Sequence, residues 1–324
     1  MSESLSCGLI GAGWIGSYHG ETLAHRLPGV HLEAVADLDE TAAQRLSAQR
    51  HYRDPLELIA DPAIDAVAIC SPAATHADLV VAAAQAGKHV FCEKPMALTL
   101  PDADRAIEAA RDAGVVLQVG FNRRFAEDFA AMRSRIDDGA VGAPQLLRSL
   151  TRDPGISAET AARVKPWTIF NETLIHDFDT LCWLNPGARV VSVYAQAAAL
   201  VHPQFAEAGF LDTSVVHLTF DNGAYGVAEA SFQAVYGYDV RGEVFGSGGV
   251  LLAGKAPEQA GTLNTELFGE AYVAQFAHFA ESIRTGRDAS VTGVDARVAL
   301  EIALAARESV ETGAPVTLAV EALR

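Results

Sequence analysis

The chain has 324 residues, half of them apolar, and a formal net charge of -17 at pH 7. That length exceeds one typical core and suits two domains. The acidic balance disfavours nucleic acid and anionic membranes as partners, because a negative surface repels phosphate, and its plain consequence is solubility.

Five short apolar runs alternate with amphipathic stretches over the first third of the chain. Ser6–Ile10, His31–Ala36, Ala66–Cys70, His89–Cys92 and Val115–Gly120 read as strands. Ile15–Arg26, Thr41–Arg50, Thr75–Ala86 and Leu100–Ala113 read as helices between them. Near-continuous apolar strands joined by helices predict a doubly wound parallel sheet, with ligands at the carboxyl ends of its strands. The pattern changes near Phe121, which sets the expected domains at 1–121 and 122–324.

The second domain opens with a helix over Phe125–Ile136, a strand over Gln145–Thr151 and a loop over Arg152–Pro166. A helix over Thr173–Leu184 follows. Val190–Tyr194, Asp212–Phe220, Ala224–Phe232 and Asp239–Gly246 then read as antiparallel strands with one open face. Asp221-Asn222-Gly223 is a hairpin signal between two of them. Helices over Ala271–Arg284 and Asp295–Glu311 finish the chain. An α/β protein with a parallel and then a mostly antiparallel sheet is expected.

The four cysteines form no C-x-x-C pair, and Cys7, Cys70 and Cys92 lie in apolar strands, so reduced buried thiols are expected, without zinc or disulfides. No secretory leader pattern precedes the first strand, and no apolar run is long enough to span a bilayer, so a cytoplasmic protein is expected.

Gly11-Ala12-Gly13-Trp14-Ile15-Gly16 is G-x-G-x-x-G, placed after a strand and at the start of a helix. Gly11 permits the turn, Gly13 lets backbone approach a pyrophosphate, and Gly16 lets helix pack on strand. The N–H groups of Trp14 and Ile15 then face the phosphates. Asp37 ends the second strand, where an acid accepts from both adenosine ribose hydroxyls. Leu38, Asp39 and Glu40 follow, with no arginine to neutralise a 2′-phosphate. NAD is therefore expected over NADP, the competing reading being a structural turn with Asp37 as a helix cap.

Three clusters carry candidate chemistry. Ser71-Pro72 follows the third strand and is expected against the nicotinamide-side ribose. Thr75 reads as the N-cap of the next helix, with His76 beside the cofactor. Glu93-Lys94-Pro95 ends the fourth strand at the same edge, with Glu93 and Lys94 expected to contact the cofactor, and Lys94 is either solvated or placed at the reactive end. Glu172 and His176 stand one helical turn apart. They form a carboxylate-supported base, a zinc pair or a surface ion pair, and no motif supplies a third zinc ligand.

Taken together, GAGWIGSYH, AGKHVFCEKPMAL, IHDFD and the closing EAYVAQFAHF and VTGVDARVALEIALAARES resemble the Gfo/Idh/MocA oxidoreductases over nearly the whole chain. VGFNRRF at 119–125, LTRDP at 150–154 and QAVYGYD at 233–239 resemble its inositol 2-dehydrogenases in particular. The resemblance implies a Rossmann domain, then an α/β domain whose open sheet forms a homodimer or homotetramer. It also implies that Lys94 and His176 are the catalytic pair, assisted by an acid one turn before His176.

This chain departs from the group at Glu172, where Asp is usual, at Trp167-Thr168 in place of Gly-Gly, and at Phe232 in place of arginine. The expected reaction is oxidation of a secondary alcohol on a cyclic polyol. His176 acts as base, Glu172 orients it, and Lys94 hydrogen-bonds the reacting oxygen. Asn122, Arg123, Arg124, Arg152, Asp153 and Tyr236 are the further substrate-side candidates, Trp167 reads as pocket wall or core, and Asp179, one turn beyond His176, reads as a helix anchor. The rival readings are an aldose or sugar-acid dehydrogenase, a silent dinucleotide sensor, and a redox-assisted hydrolase.

Overall fold

Leu5–Ile10 forms β1, and its side chains from Cys7 onward have almost no contact with solvent. That burial follows from an apolar run with no polar alternation, which needs cover on both faces. In the computed structural model, which describes residues 4–257 and 263–319, β1 lies at the middle of a six-stranded sheet.

The first compact unit contains the residues up to Asn122 and also Glu270–Arg297. Its elements in chain order are α1 (Trp14–His25), β2 (Val30–Ala36), α2 (Glu40–Gln44), β3 (Arg50–Tyr52), α3 (Pro55–Ala60), β4 (Ala66–Ile69), α4 (His76–Gln85), β5 (His89–Cys92), α5 (Leu100–Ala113) and β6 (Leu117–Val119). The strand order is β3-β2-β1-β4-β5-β6, and every pairing is parallel. The order reverses between β1 and β4, and the crevice beyond their carboxyl ends is where such sheets bind dinucleotides. Local signals set the helix limits. For α5, the Thr99 hydroxyl accepts from the Asp102 N–H at its start, and Gly114 ends it at φ +66°.

The second unit contains Arg123–Gly269 and the residues from Val298 on. It begins with α6 (Glu127–Asp137), β7 (Pro144–Arg152) and α7 (Ala158–Ala161). A π-helical turn over Ile169–Leu174 leads into α8 (Ile175–Trp183). Then come β8 (Val190–Ala198), β9 (Thr213–Phe220), β10 (Tyr225–Ser231), β11 (Asp239–Gly246), β12 (Gly249–Ala253) and α9 (Asn264–Leu267). α10 (Gly269–Thr285) returns to the first unit, α11 (Gly293–Thr312) follows, and β13 (Val316–Thr317) adds an edge strand.

Among the described residues the second sheet has seven strands in the order β12-β11-β7-β10-β9-β8-β13. Ser214, Val216, Leu218 and Phe220 of β9 are buried, whereas Val215 and His217 are exposed. That period of two marks a sheet covered on one face. α8 packs against β7 and β10 on the covered face. Leu146, Val215, Tyr225, Phe245, Val250 and Leu252 remain exposed.

The second sheet is mostly antiparallel, as expected, with β7 and β10 pairing in parallel. The structure corrects three sequence expectations. Thr41–Arg50 is not one helix: α2 stops at Gln44, and Arg50–Tyr52 pairs with β2 as the sheet edge. The loop after β7 carries the short helix α7. The segment 270–297, assigned to the second domain from sequence, groups with the first, and Phe276, Phe279 and Ala280 of α10 complete the core of β1, β2 and α1.

The cysteines are all free. Burial pushes the thiols of Cys7, Cys70 and Cys92 well above their ordinary range, which leaves them inert. Among the described residues, no helix is long and apolar enough to cross a membrane.

Candidate active site

In the first unit the fingerprint glycines divide by cause. Gly11 sits at φ +93°, and a Cβ there would lie 2.6 Å from the Ser71 nitrogen. A Cβ on Gly16 would lie 1.9 Å from the Gly11 carbonyl oxygen. The chain itself therefore demands both. Gly13 is exposed, and a Cβ on it would meet nothing within 4 Å. Its open space lies at the start of α1, whose N-cap is Gly13 itself with no side chain to bond the first N–H groups. Trp14 and Ile15 follow at the first turn, with Trp14 62% exposed.

Asp37 stands at the end of β2. One carboxylate oxygen accepts from the Ala12 N–H at 2.6 Å and the other from the Asp39 N–H at 2.8 Å. Asp39, not Asp37, caps α2, accepting from Thr41 and Ala42. Asp37 is thereby fixed to the glycine turn with lone pairs to spare.

Past β4, the Ser71 and Thr75 hydroxyls bond each other at 2.7 Å, and Thr75 Oγ1 donates to the Pro72 carbonyl. Thr75 occupies the N-cap position of α4 but makes no side-chain cap bond, so the capping role expected of it is not met. His76 is buried, with Nδ1 2.8 Å from the Pro95 carbonyl oxygen and Nε2 2.7 Å from that of Ser71. It ties the loop after β4 to the loop after β5.

Lys94 is the second residue beyond β5, is half-buried, and precedes a cis peptide bond to Pro95. Glu93 turns inward. Its Oε1 lies 2.7 Å from His19 Nε2, and its Oε2 accepts from the Lys94 backbone N–H at 3.1 Å. Burial pushes the Glu93 carboxyl up, but the hydrogen bond and charge of His19 with the charge of Lys94 outweigh it and hold the group below its ordinary value. Sequence reasoning missed His19. Its signal was a histidine on the α1 face shared by Gly16, Gly20 and Leu23, all buried. Asn122, last residue of the first unit, is also buried.

In the second unit Glu172 lies in the π-helical turn and is exposed, whereas His176 lies in the first turn of α8 and is half-buried. Such π turns are rare and recur at functional sites. The residues flanking His176 are anchored from below. Arg123 Nη1 donates to Asp177 Oδ1 at 2.8 Å, and Ser149 and Thr151 on β7 donate to the same carboxylate. Arg124 binds both oxygens of Asp179 and lies over the Trp183 ring at 5.8 Å. Arg123 is 1% exposed, so the substrate-side position considered for it is corrected: it is a core cation.

Arg152 donates to the Tyr236 hydroxyl at 3.2 Å and pairs with Glu229, and Tyr236 donates to Asp239 at 2.9 Å. This chain of polar groups lies at the end of β7 and the start of β11. Trp167 is the only non-glycine with positive φ among the described residues, at φ 66°. Its ring stacks on Phe170, and the Arg307 guanidinium lies 5.1 Å from its centroid. Phe232 is buried beside Phe210 and faces core. Among the described residues no group of three or more His, Cys, Asp or Glu is arranged to hold a metal ion.

A family model described as an oxidoreductase family with an NAD-binding Rossmann fold matches residues 5–121, and a GFO/IDH/MocA C-terminal domain model matches residues 129–252. The chain belongs to the Gfo/Idh/MocA oxidoreductase family. The match makes it an NAD-dependent oxidoreductase, and the open space at Gly13, the uncapped start of α1 and the anchored Asp37 fit that dinucleotide. Curated Gfo/Idh/MocA relatives include a myo-inositol 2-dehydrogenase of Thermotoga maritima, 38% identical over 94% of this chain and 96% of the relative. A scyllo-inositol 2-dehydrogenase (NAD(+)) of Bacillus subtilis is 36% identical over 99% of this chain and 98% of the relative. The crystal structure of scyllo-inositol dehydrogenase from Lactobacillus casei with bound NAD(H) and scyllo-inositol superposes with a TM-score of 0.91 at 25% identity, over 97% of this chain and 99% of that one.

Proposed function

We propose that this protein oxidises a secondary alcohol of an inositol-like cyclic polyol to a ketone. The observation that carries the reading is near-full-length similarity to inositol dehydrogenases in a chain that keeps Lys94 at the end of β5 and His176 at the start of α8. Bound NAD supplies the acceptor for the hydride. His176 removes the hydroxyl proton, and Glu172 orients the imidazole and stabilises its charged form. Lys94 donates a hydrogen bond to the reacting oxygen. Gly11, Gly13, Trp14, Ile15 and Gly16 hold the pyrophosphate, and Asp37 the adenosine ribose. Ser71, Pro72 and His76 shape the nicotinamide end.

Asn122, Arg124, Arg152, Trp167 and Tyr236 are the proposed substrate-side groups, and the Arg152–Tyr236–Asp239 chain is the best supplied with donors and acceptors for a polyol. Trp167 and Glu172, where the inositol enzymes usually carry Gly and Asp, favour an aldose or sugar acid as the second reading. We further propose that the exposed apolar face bearing Leu146, Tyr225, Phe245 and Leu252 joins copies into a dimer or tetramer. Four free cysteines support a reducing, cytoplasmic setting.

A panel of cyclitols, aldoses and sugar acids, each with NAD and with NADP, tests the reading through net formation of reduced nicotinamide. Turnover of an inositol with NAD is expected. Tight NAD binding with no net reduction on any polyol would contradict it and favour the sensor.

A further inference from the structure

We propose that His19 is a positioning residue for Lys94, acting through the buried carboxylate of Glu93. The inference rests on the catalytic role given to Lys94 above. The two oxygens of Glu93 have different partners. Oε1 meets His19 Nε2 at 2.7 Å, and Oε2 takes the backbone N–H of Lys94 at 3.1 Å. The carboxylate is thus a rigid link between the side chain of α1 and the main chain that bears Lys94.

Its surroundings prevent other arrangements. Gly120 lies against it, and a Cβ there would stand 3.0 Å from the Glu93 carboxyl carbon. The His19 ring is fully buried and meets Phe276 at 4.9 Å, Tyr272 at 5.4 Å and Phe91 at 5.9 Å, each edge to face. Phe276 and Tyr272 come from α10, which explains what the return of that helix to the first unit contributes. A lone carboxylate in such a place is costly and would turn or take up a proton. With His19 present it stays charged and accepts from Lys94.

The consequence is geometric. α1 starts at Gly13, beside the space left for the pyrophosphate, and His19 lies on that same helix. Lys94 is therefore set in position by the element that faces the dinucleotide. Misplacing a reacting group by about 1 Å costs roughly 10²-fold in rate. Leucine at position 19 removes the donor, whereas glutamine restores an N–H near the place of Nε2.

Two measurements test the proposal. The first is amide exchange at Lys94 in the cofactor-free protein, which needs no turnover. His19→Leu should speed it about tenfold or more, as loss of a protecting hydrogen bond does, and His19→Gln should leave it slow. The second is a double-mutant cycle on kcat with an inositol substrate. His19→Leu should lower kcat about 10–10²-fold with NAD affinity retained, and the loss should vanish in a Lys94→Ala background. Where His19→Leu does not fold, Glu93→Gln is read in the same two assays. Unchanged exchange in His19→Leu, equal losses in both backgrounds, or His19→Gln behaving like His19→Leu would each overturn the proposal. Absence of any polyol turnover by the wild type would instead overturn the proposed function, and the exchange measurement would still decide the link.

Discussion

Arg123 and Asp177 form a buried ion pair 2.8 Å long in the second unit, with Asp177 next to His176 in the chain. Both are almost wholly buried, and Ser149 and Thr151 complete the carboxylate's hydrogen bonds. Removing one partner leaves a buried unpaired charge, which costs about 3–5 kcal/mol. Asp177→Leu and Arg123→Met should each lower the denaturant midpoint of unfolding accordingly. The double variant should lose less than the sum of the two, and strict additivity would show that the pair is not coupled.

Cofactor choice should turn on Asp37. Its carboxylate is held at the glycine turn with Leu38, Asp39 and Glu40 after it and no cation among them. Two charges 4 Å apart repel by about 4 kcal/mol at an effective dielectric of 20, and each 1.4 kcal/mol is tenfold in affinity. Asp37→Ser with Leu38→Arg should therefore raise NADP affinity roughly 10²–10³-fold. Titration of both dinucleotides checks it, and an unchanged ratio would remove Asp37 from the ribose site.

Acid should weaken the first unit through Glu93. Its folded pKa is depressed, against burial, by His19 and Lys94. A carboxyl with a depressed folded pKa contributes stability above its unfolded pKa and loses it as pH falls through the folded value. Stability should fall below the ordinary glutamate range, and Glu93→Gln, less stable at neutral pH, should show a shallower acid limb. Denaturation series over pH for both proteins make the comparison.

Trp167 holds a left-handed backbone that costs a non-glycine residue about 1–2 kcal/mol. Stacking on Phe170 and the Arg307 cation offset that cost. Alanine would keep the backbone penalty and lose both contacts, whereas glycine would lose only the contacts. Trp167→Gly should thus be more stable than Trp167→Ala by up to about 1 kcal/mol. The reverse order in thermal unfolding would mean that the strain is not borne by this residue.

What the sequence made legible was local. The glycine fingerprint, Asp37 and Lys94 lie within short spacings whose backbone demands are written in the residues themselves. β3 escaped notice because Arg50–Tyr52 is three residues of mixed polarity at a sheet edge. The parallel pairing of β7 with β10 leaves no trace in either strand's alternation, since period two is the same for both directions. Arg123 reads as a solvated arginine until Asp177, 54 residues away, is beside it. The His19–Glu93 bond spans 74 residues, and only the tertiary fold brings those two together. Glu93, read from sequence as a cofactor contact, is placed by that bond behind Lys94.

The central claim is that His176 takes the proton while an inositol hydroxyl is oxidised with NAD. Single-turnover formation of reduced nicotinamide, compared between wild type and His176→Ala at saturating NAD and inositol, tests it most directly. A positioned base is worth about 10²–10⁴-fold, so the variant should bind NAD normally and slow by that factor. A variant that transfers hydride at the wild-type rate would contradict the account.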